Sequence, residues 1–474
     1  MIITAIRPYN YISKPLTQNK EQKERPNFGY NALPQYSYPI FKSSWTKQSE
    51  IAKDIFKERL SKGGKLKNID IFKLDIDKLE GIQEGIKVFD GMSLREIAFM
   101  LTTVSEFATV RGCRNNCAHC YANAKPPIKE NDEHINKMSW EDFTNLTGGI
   151  KELNRRLGFK ISGELAINSE RYLTPFHDSD GTDIALKDKY GREHDFAEIA
   201  EELYDAMGVS VVFDTSGWNL SDKKAQERAE KFIEYQKNSR STNSIQQINI
   251  SLNPFHSLYK TSVDLKEKGD IEKSEKLRDL YTSRMANAIY TFTPVIKNDK
   301  FSLLKTAIRK GEIFENFNQN SLDELFEEII TKVRRMYKKD LEKEQKYISS
   351  QKEIESNIKM LRNKYYQSPP RIITYTGKTK KNFGVDSNLI PDYFQGTTNN
   401  IEEYKYYDSI GEYRYYHVGI VDSNGDYYLT DYDKIIPTEL KLNLSNKNKS
   451  TANIEPLSNG FLLTKEKINK LEID

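Results

Sequence analysis

The chain has 474 residues, with 72 Lys and Arg against 69 Asp and Glu, so its formal net charge of +3 gives no argument for a nucleic-acid partner. Its length predicts more than one structural unit, and it has no apolar run approaching the ~18 residues of a membrane helix. The first residues lack the basic and apolar segments of a secretory signal, and we therefore expect a cytoplasmic protein.

Residues 1–100 form a predicted N-terminal extension, to which we assign no chemistry. Residues 26–41 are rich in Pro, Asn and Tyr and predict irregular structure. Residues 48–63 have the pattern of a helix that ends at Gly63 and Gly64.

A central domain is predicted over residues 101–378, where short apolar runs alternate with amphipathic helices. This alternation predicts an α/β fold with a parallel sheet. The predicted strands occupy residues 105–112, 159–164, 209–216, 247–253, 288–296 and 371–377. Ser139 with Asp142, and Asp195 with Glu198, predict the N-terminal caps of two crossover helices.

The last part of the central domain, residues 321–366, is charged throughout and predicts one long helix or a hairpin of two. Apolar residues recur at Leu322, Leu325, Phe326, Ile329, Val333 and Met336. Because the heptad fades after Met336, this stripe favours docking on the central domain over a coiled-coil dimer.

Residues 379–474 are predicted to form a C-terminal α+β region that caps the central domain or meets its substrate. Within it, alternating apolar residues flank Ser423, Asn424 and Gly425, and this arrangement predicts a β-hairpin.

The loop after the first predicted strand reads GCRNNCAHCY and holds all three cysteines of the chain, Cys113, Cys117 and Cys120. An odd number in one cluster argues against a disulfide framework. Thiolates are soft ligands, so the spacing C-x3-C-x2-C indicates a metal site. One candidate is structural zinc with His119 or His134 as fourth ligand. The other is a 4Fe-4S cluster held through three of its irons.

The segment GCRNNCAHCY resembles the cluster loop of the radical S-adenosylmethionine enzymes. In that family the fourth iron binds S-adenosyl-L-methionine, which is cleaved to methionine and a 5′-deoxyadenosyl radical. The resemblance covers residues 105–300 and extends less surely to 377. It implies a partial (β/α)6 barrel with the site at the carboxyl ends of its strands. It also implies a flavodoxin or ferredoxin as electron donor.

The resemblance implies further cofactor-binding residues. Gly163 and Glu164, ending the second predicted strand, match a Gly-Gly-Glu-Pro segment that holds the ammonium of the cosubstrate, although Ser162 and Leu165 depart from it. Ser251 and Asn253 end the fourth predicted strand, at the position that resembles the family's ribose-binding site. Alternatively, they simply satisfy backbone groups at the end of the strand. His119 would lend its backbone to the adenine pocket, and residues 293–295 would pack the adenine.

Two more segments near predicted strand ends have polar sequences. Residues 177–183, HDSDGTD, partly resemble a calcium loop but lack its distal Glu, which favours a solvated loop at the rim of the site. Residues 214–218, DTSGW, occupy the position of a turn that lies beside the cosubstrate in similar enzymes, although core and turn packing explain most of it.

The substrate is constrained by the absence of any cysteine after Cys120. Auxiliary clusters, a methyl-cysteine and a thiol hydrogen donor all require further cysteines. The cluster loop also resembles those of family members that act on peptides or cofactor precursors, and the two extensions could clamp a long, flexible substrate. The resemblance therefore implies hydrogen abstraction from a ribosomally made peptide, leading to a crosslink or another post-translational modification. The alternative within the family is a small molecule or nucleoside in a biosynthetic pathway. The alternative outside the family is a metal-stapled binding module, which is a binding protein whose fold a metal stabilises and which has no catalytic activity.

Overall fold

The computed structural model describes eighteen parts of the chain, all within the unit formed by residues 44–474. They are residues 47–54, 76–110, 112–115, 117, 137–161, 173–176, 179–238, 242–252, 256–307, 319–343, 347–367, 371–372, 405–407, 413–415, 418–431, 434–445, 464–469 and 472–473. Within these parts, no helix has the length and apolar character needed to span a membrane.

The helices and strands of the described residues alternate along much of the chain. The helices are α1 (47–54), α2 (Leu94–Thr103), α3 (Trp140–Leu157), α4 (Phe196–Met207), α5 (Lys223–Asn238), α6 (Ser257–Glu267), α7 (Ile271–Thr291), α8 (Gln319–Glu342), α9 (Gln351–Gln367) and α10 (Lys465–Asn469). The strands are β1 (Val104–Ala108), β2 (Ala185–Lys187), β3 (Glu193–Asp195), β4 (Val211–Thr215), β5 (Ile245–Leu252), β6 (Phe301–Ala307), β7 (Arg371–Ile372), β8 (Lys405–Tyr407), β9 (Tyr413–Tyr415), β10 (Val418–Asp422), β11 (Asp426–Asp431), β12 (Lys434–Lys441) and β13 (Glu472–Ile473).

Parallel pairing joins six segments in chain order, and the fold is of the α/β class. β4 pairs with β5, β5 with β6, and β6 with β7, all in parallel. Residues 173–174 bridge β1 to β4, because Glu106 pairs with Thr174 and Leu173 pairs with Val211, again in parallel. The carboxyl ends of these segments therefore meet at one edge of the sheet.

The other edge of β1 is covered by the C-terminal part of the chain. β10 runs parallel to β1, with Ala108 opposite Asp422. β10, β11 and β12 then form an antiparallel series, and the turn between β10 and β11 contains Gly425 at a φ of +82°. The predicted hairpin at 423–425 is therefore confirmed, and the described strands do not close into a barrel.

The two faces of the parallel series differ in polarity, since side chains alternate along a strand. One face is apolar and packs on the helices: the ring centroid of Phe213 lies 4.8 Å from that of Phe196 in α4 and 4.3 Å from that of Phe232 in α5. The other face carries Glu106, Thr174, Asp214, Asn249 and Ser302, as the pairing register places them. This polar face bears on the candidate site, because it adjoins the cysteine loop.

The predicted helix caps are confirmed. The hydroxyl of Ser139 accepts a hydrogen bond from the backbone N–H of Asp142, and Asp195 accepts bonds from Ala197 and Glu198. The charged segment 321–366 is a hairpin of two helices, α8 and α9. Most of its apolar stripe belongs to the core, and Met336 packs against the core while only partly buried.

The predicted strands 209–216 and 247–253 correspond to β4 and β5. The predicted strand 288–296 is wrong, and so is the described part of the predicted strand 159–164, whose residues 162–164 lie outside the described residues. Residues 288–296 form the end of α7 and a 3-10 helix over Thr293–Val295, and β6 follows instead. Residues 159–161 are not a strand, and residues 173–174 occupy the second position of the sheet. Both errors concern short apolar runs, whose pattern does not separate a strand from a buried helix end or turn.

Two adjacent glycines of α3 provide a matched test of its packing. An added Cβ would lie 2.3 Å from Val88 Cγ1 at Gly149, but would meet nothing within 4 Å at Gly148. We expect Gly149→Ala to destabilise the protein by about 1–3 kcal/mol through overpacking. Gly148→Ala is expected to stabilise it by up to about 1 kcal/mol, because Ala favours a helix more than Gly does. Urea unfolding of both variants measures the difference, and equal effects would contradict the close approach.

Candidate metal centre and active site

The cysteine loop leaves β1 at the edge where the carboxyl ends of the parallel segments meet. Its two flanks are held together, since Val110 pairs with Lys137 and the N–H of Met138 donates to Thr109 O at 2.8 Å. Within the loop, the side chains of Cys113 and Cys117 are of intermediate exposure and are not joined in a disulfide. Ligand sites of open parallel sheets lie at this edge, so the position suits a functional centre.

Residues 179–183, which follow the second parallel segment, hold the first part of this loop. The hydroxyl of Ser179 lies 3.0 Å from Val110 O and 2.9 Å from Gly112 O, and donates to them. The Asn115 amide donates to the Asp180 carboxylate at 3.1 Å. Three backbone or side-chain positions between residues 110 and 115 are thereby fixed to one neighbouring segment.

Arg114 joins the same loop to two further carboxylates. Its guanidinium makes a two-pronged contact with Asp183 and lies 3.6 Å from a carboxylate oxygen of Asp222. Burial raises the pKa of the Asp183 carboxyl, and the hydrogen bond and charge of Arg114 oppose that rise. The forked, permanently charged guanidinium suits this double contact, which a lysine could not reproduce.

The polar face of the sheet adjoins this loop. Asp214, Asn249 and Ser302 lie side by side on β4, β5 and β6, and the Asn249 amide donates to Asp214. Asn249 is fully buried, yet its Oδ1 has no hydrogen-bond partner among the described residues. Parallel strands are normally apolar on both faces, so this buried acceptor on a polar face is a candidate contact for a polar ligand or water.

The loop fits an iron–sulfur cluster or another thiolate-bound metal. Burial and the nearby Asp180 carboxylate raise the pKa of the Cys113 thiol, which opposes formation of the thiolate in the metal-free protein. The backbone N–H of Asn115 points at Cys113 Sγ at 3.5 Å, a contact that stabilises a sulfur ligand. With Cys120 outside the described residues, no three His, Cys, Asp or Glu side chains among the rest form a metal site.

The sequence-predicted site residues fall into two groups. Cys113, Cys117 and Ser251 are described, and Ser251 lies at the end of β5, half-buried, on the same face as Asn249. The others lie outside the described residues: His119, Cys120, Gly163, Glu164 and Asn253.

The predicted strand over residues 293–295, on which their adenine contact was based, is wrong. These residues lie in a 3-10 helix, where Val295 is buried and the Thr293 hydroxyl is 2.9 Å from the Tyr337 hydroxyl of α8. They pack against the helical layer and do not belong to the sheet.

Sequence reasoning underestimated residues 177–183 and 214–218. Asp180 is only 3% exposed, so the prediction of a solvated loop is wrong for it. Thr215 and Ser216 donate hydrogen bonds to Asp180 at 2.7 and 3.0 Å, so the turn after β4 supports the cysteine loop indirectly. The available signal was the concentration of Asp, Ser and Thr after two neighbouring strand positions.

The chain was also compared with known proteins. No protein-family model, curated protein or solved structure matches it. The assignment of a function therefore depends on the cysteine loop and its surroundings.

Proposed function

We propose that the chain is a radical S-adenosylmethionine enzyme with a single 4Fe-4S cluster. One observation carries the proposal: Cys113 and Cys117 of the C-x3-C-x2-C motif lie where the loop leaves β1, at the carboxyl edge of a parallel sheet. The resemblance of the loop to that family and the polar face beside it support the same reading.

A partial (β/α)6 barrel is the fold that we propose for the parallel series. Six parallel segments in chain order are what such a barrel requires, and β1, residues 173–174, β4, β5, β6 and β7 supply them. The apolar face toward the helices and the polar face away from them support this arrangement.

In the proposed enzyme, Cys113, Cys117 and Cys120 hold the cluster through three irons. The chemistry that it supplies when bound is one-electron reduction of S-adenosyl-L-methionine, which releases methionine and a 5′-deoxyadenosyl radical that removes a hydrogen atom from substrate. The electron comes from a flavodoxin or ferredoxin. Asp214, Asn249 and Ser251 line the polar face, where they orient polar groups of the cosubstrate or substrate.

Glu164 and Asp180 are the two carboxylates to be weighed as partners of the cosubstrate's ammonium group. The resemblance assigns it to Gly163 and Glu164, but that assignment expected a strand over 159–164. Since residues 173–174 pair in that position, residues 175–176 and 179–183 follow at the carboxyl edge, where Ser179 contacts the start of the cysteine loop. Asp180 already accepts hydrogen bonds from several protein donors, so it supports the loop and does not replace Glu164.

Anaerobic reconstitution with iron and sulfide tests the proposal. We expect about four iron atoms and four sulfides per chain, and release of 5′-deoxyadenosine from S-adenosyl-L-methionine after reduction with dithionite. A protein that takes up only zinc would contradict the proposal and favour the metal-stapled binding module.

The proposed substrate is a ribosomally made peptide. Coexpression with short open reading frames adjacent to the gene, followed by mass spectrometry, should give a peptide lighter by the two hydrogen atoms lost in a crosslink. Unchanged peptides together with release of 5′-deoxyadenosine would contradict the peptide substrate and favour a small molecule or nucleoside.

A further inference from the structure

Asp180 lies between the cysteine loop and the end of β4. It follows the second parallel segment, precedes the short 3-10 helix Gly181–Asp183, and is 3% exposed. Its carboxylate accepts six hydrogen bonds, from Asn115 Nδ2 (3.1 Å), Thr182 N (3.0 Å), Thr182 Oγ1 (2.7 Å), Thr215 Oγ1 (2.7 Å), Ser216 N (2.8 Å) and Ser216 Oγ (3.0 Å).

These bonds connect three separate segments of the chain. One carboxylate oxygen receives Asn115 and Ser216, and the other receives Thr182 and Thr215. Only an ionised carboxylate accepts at both oxygens without presenting a hydrogen of its own. An asparagine here would direct its amide hydrogens at groups that are themselves donors.

Asn115 connects this carboxylate to the sulfur of Cys113. Its side-chain amide donates to Asp180, while its backbone N–H points at Cys113 Sγ at 3.5 Å. Gly181 keeps the approach close, because a Cβ at this position would lie 2.7 Å from the backbone oxygen of Asp214. A displacement of Asp180 therefore displaces the amide that faces the sulfur.

We infer that Asp180 is a positioning residue for the cysteine loop, holding Cys113 and Asn115 against the end of β4 and placing a fixed negative charge beside the metal ligands. The effect on a cluster depends on the proposed function, whereas the effect on the loop does not. Reduction adds an electron to a cluster, so a neighbouring negative charge disfavours the reduced form and lowers the reduction potential.

The test compares Asp180→Asn and Asn115→Ala with a control, Asp205→Asn. Asp205 pairs with Lys151 at 2.7 Å near the end of α4 and its side chain is 69% exposed. In Asp180→Asn we expect iron loss to a chelator to become about 10- to 100-fold faster and the midpoint potential to become more positive. Asn115→Ala removes the hydrogen bond between residue 115 and Asp180 but keeps the negative charge of Asp180. Iron loss should therefore accelerate, while the midpoint potential should change less than in Asp180→Asn. The control should match the wild type.

Hydrogen exchange of the metal-free proteins supplies a readout that needs no cluster. Amides of residues 112–117 should exchange faster in Asp180→Asn than in the wild type, and those of β5 should not change. If the wild type binds no iron, the proposed function fails, and exchange alone decides the positioning role. If the wild type binds iron but Asp180→Asn retains it equally, with the same potential and exchange, the inference is overturned and the proposed function stands.

Discussion

Replacement of Cys113 by serine is expected to reduce the iron bound per chain from about four atoms to nearly none. Three thiolates are the minimum that holds a cluster with one open iron, and a serine hydroxyl is a poor ligand for it. No fourth cysteine exists in the chain to take over the position. Reductive release of 5′-deoxyadenosine should disappear with the iron, and both are measured after anaerobic reconstitution.

A suitable control for this experiment is Tyr190→Ser. Tyr190 is 83% exposed in the turn between β2 and β3, so its replacement should leave iron content and cleavage unchanged. Unaltered iron content in Cys113→Ser and in Cys117→Ala would refute the metal centre. Loss of iron in the control would show instead that reconstitution responds to any change in the chain.

Replacement of Tyr427 by alanine is expected to cost about 3–5 kcal/mol of the free energy of unfolding. Tyr427 is fully buried on β11, with its hydroxyl bonded to Thr103 of α2 and its ring centroid 6.3 Å from that of Phe99. Removing the ring opens a cavity between the C-terminal strands and the helix that leads into β1. Urea denaturation followed by circular dichroism measures the loss.

The conservative variant Tyr427→Phe separates the ring from the hydroxyl. It keeps the packing and leaves the buried Thr103 hydroxyl without this partner, so we expect a loss of about 1 kcal/mol. Equal losses in the two variants would contradict the packing role. If Tyr427→Ala unfolds as easily as the wild type, the C-terminal strands do not dock on β1 as described.

Much of the helical layer follows from local sequence. α3 and α4 begin where their N-capping residues indicate, since each cap acts within one turn of its helix. β4 and β5 were also predicted, because their apolar runs are bounded by polar turns. The apolar run at 288–296 misled the prediction because the end of α7 is buried and aromatic, and burial rather than strand structure explains its composition.

The support of the candidate site was less predictable, because its contacts join distant parts of the chain. Cys113 and Cys117 were identified from their spacing, because the cysteine motif lies within a short stretch of sequence. The role of Asp180 depends on Asn115 and Thr215, which no local pattern connects to it. The pairing of β1 with β10 could not be predicted from the sequence either, since the register between two distant parallel strands produces no periodic pattern in the sequence of either strand.

The parallel neighbour of β1 has a consequence for biosynthesis. β1 leaves the ribosome long before residues 418–422, so one row of its backbone N–H and C=O groups has no strand to pair with during most of translation. The strand β1, which leads into the cysteine loop, is therefore fully paired only after β10 has been synthesised. For the proposed metal centre, we therefore expect insertion of the metal to follow translation of the C-terminal strands.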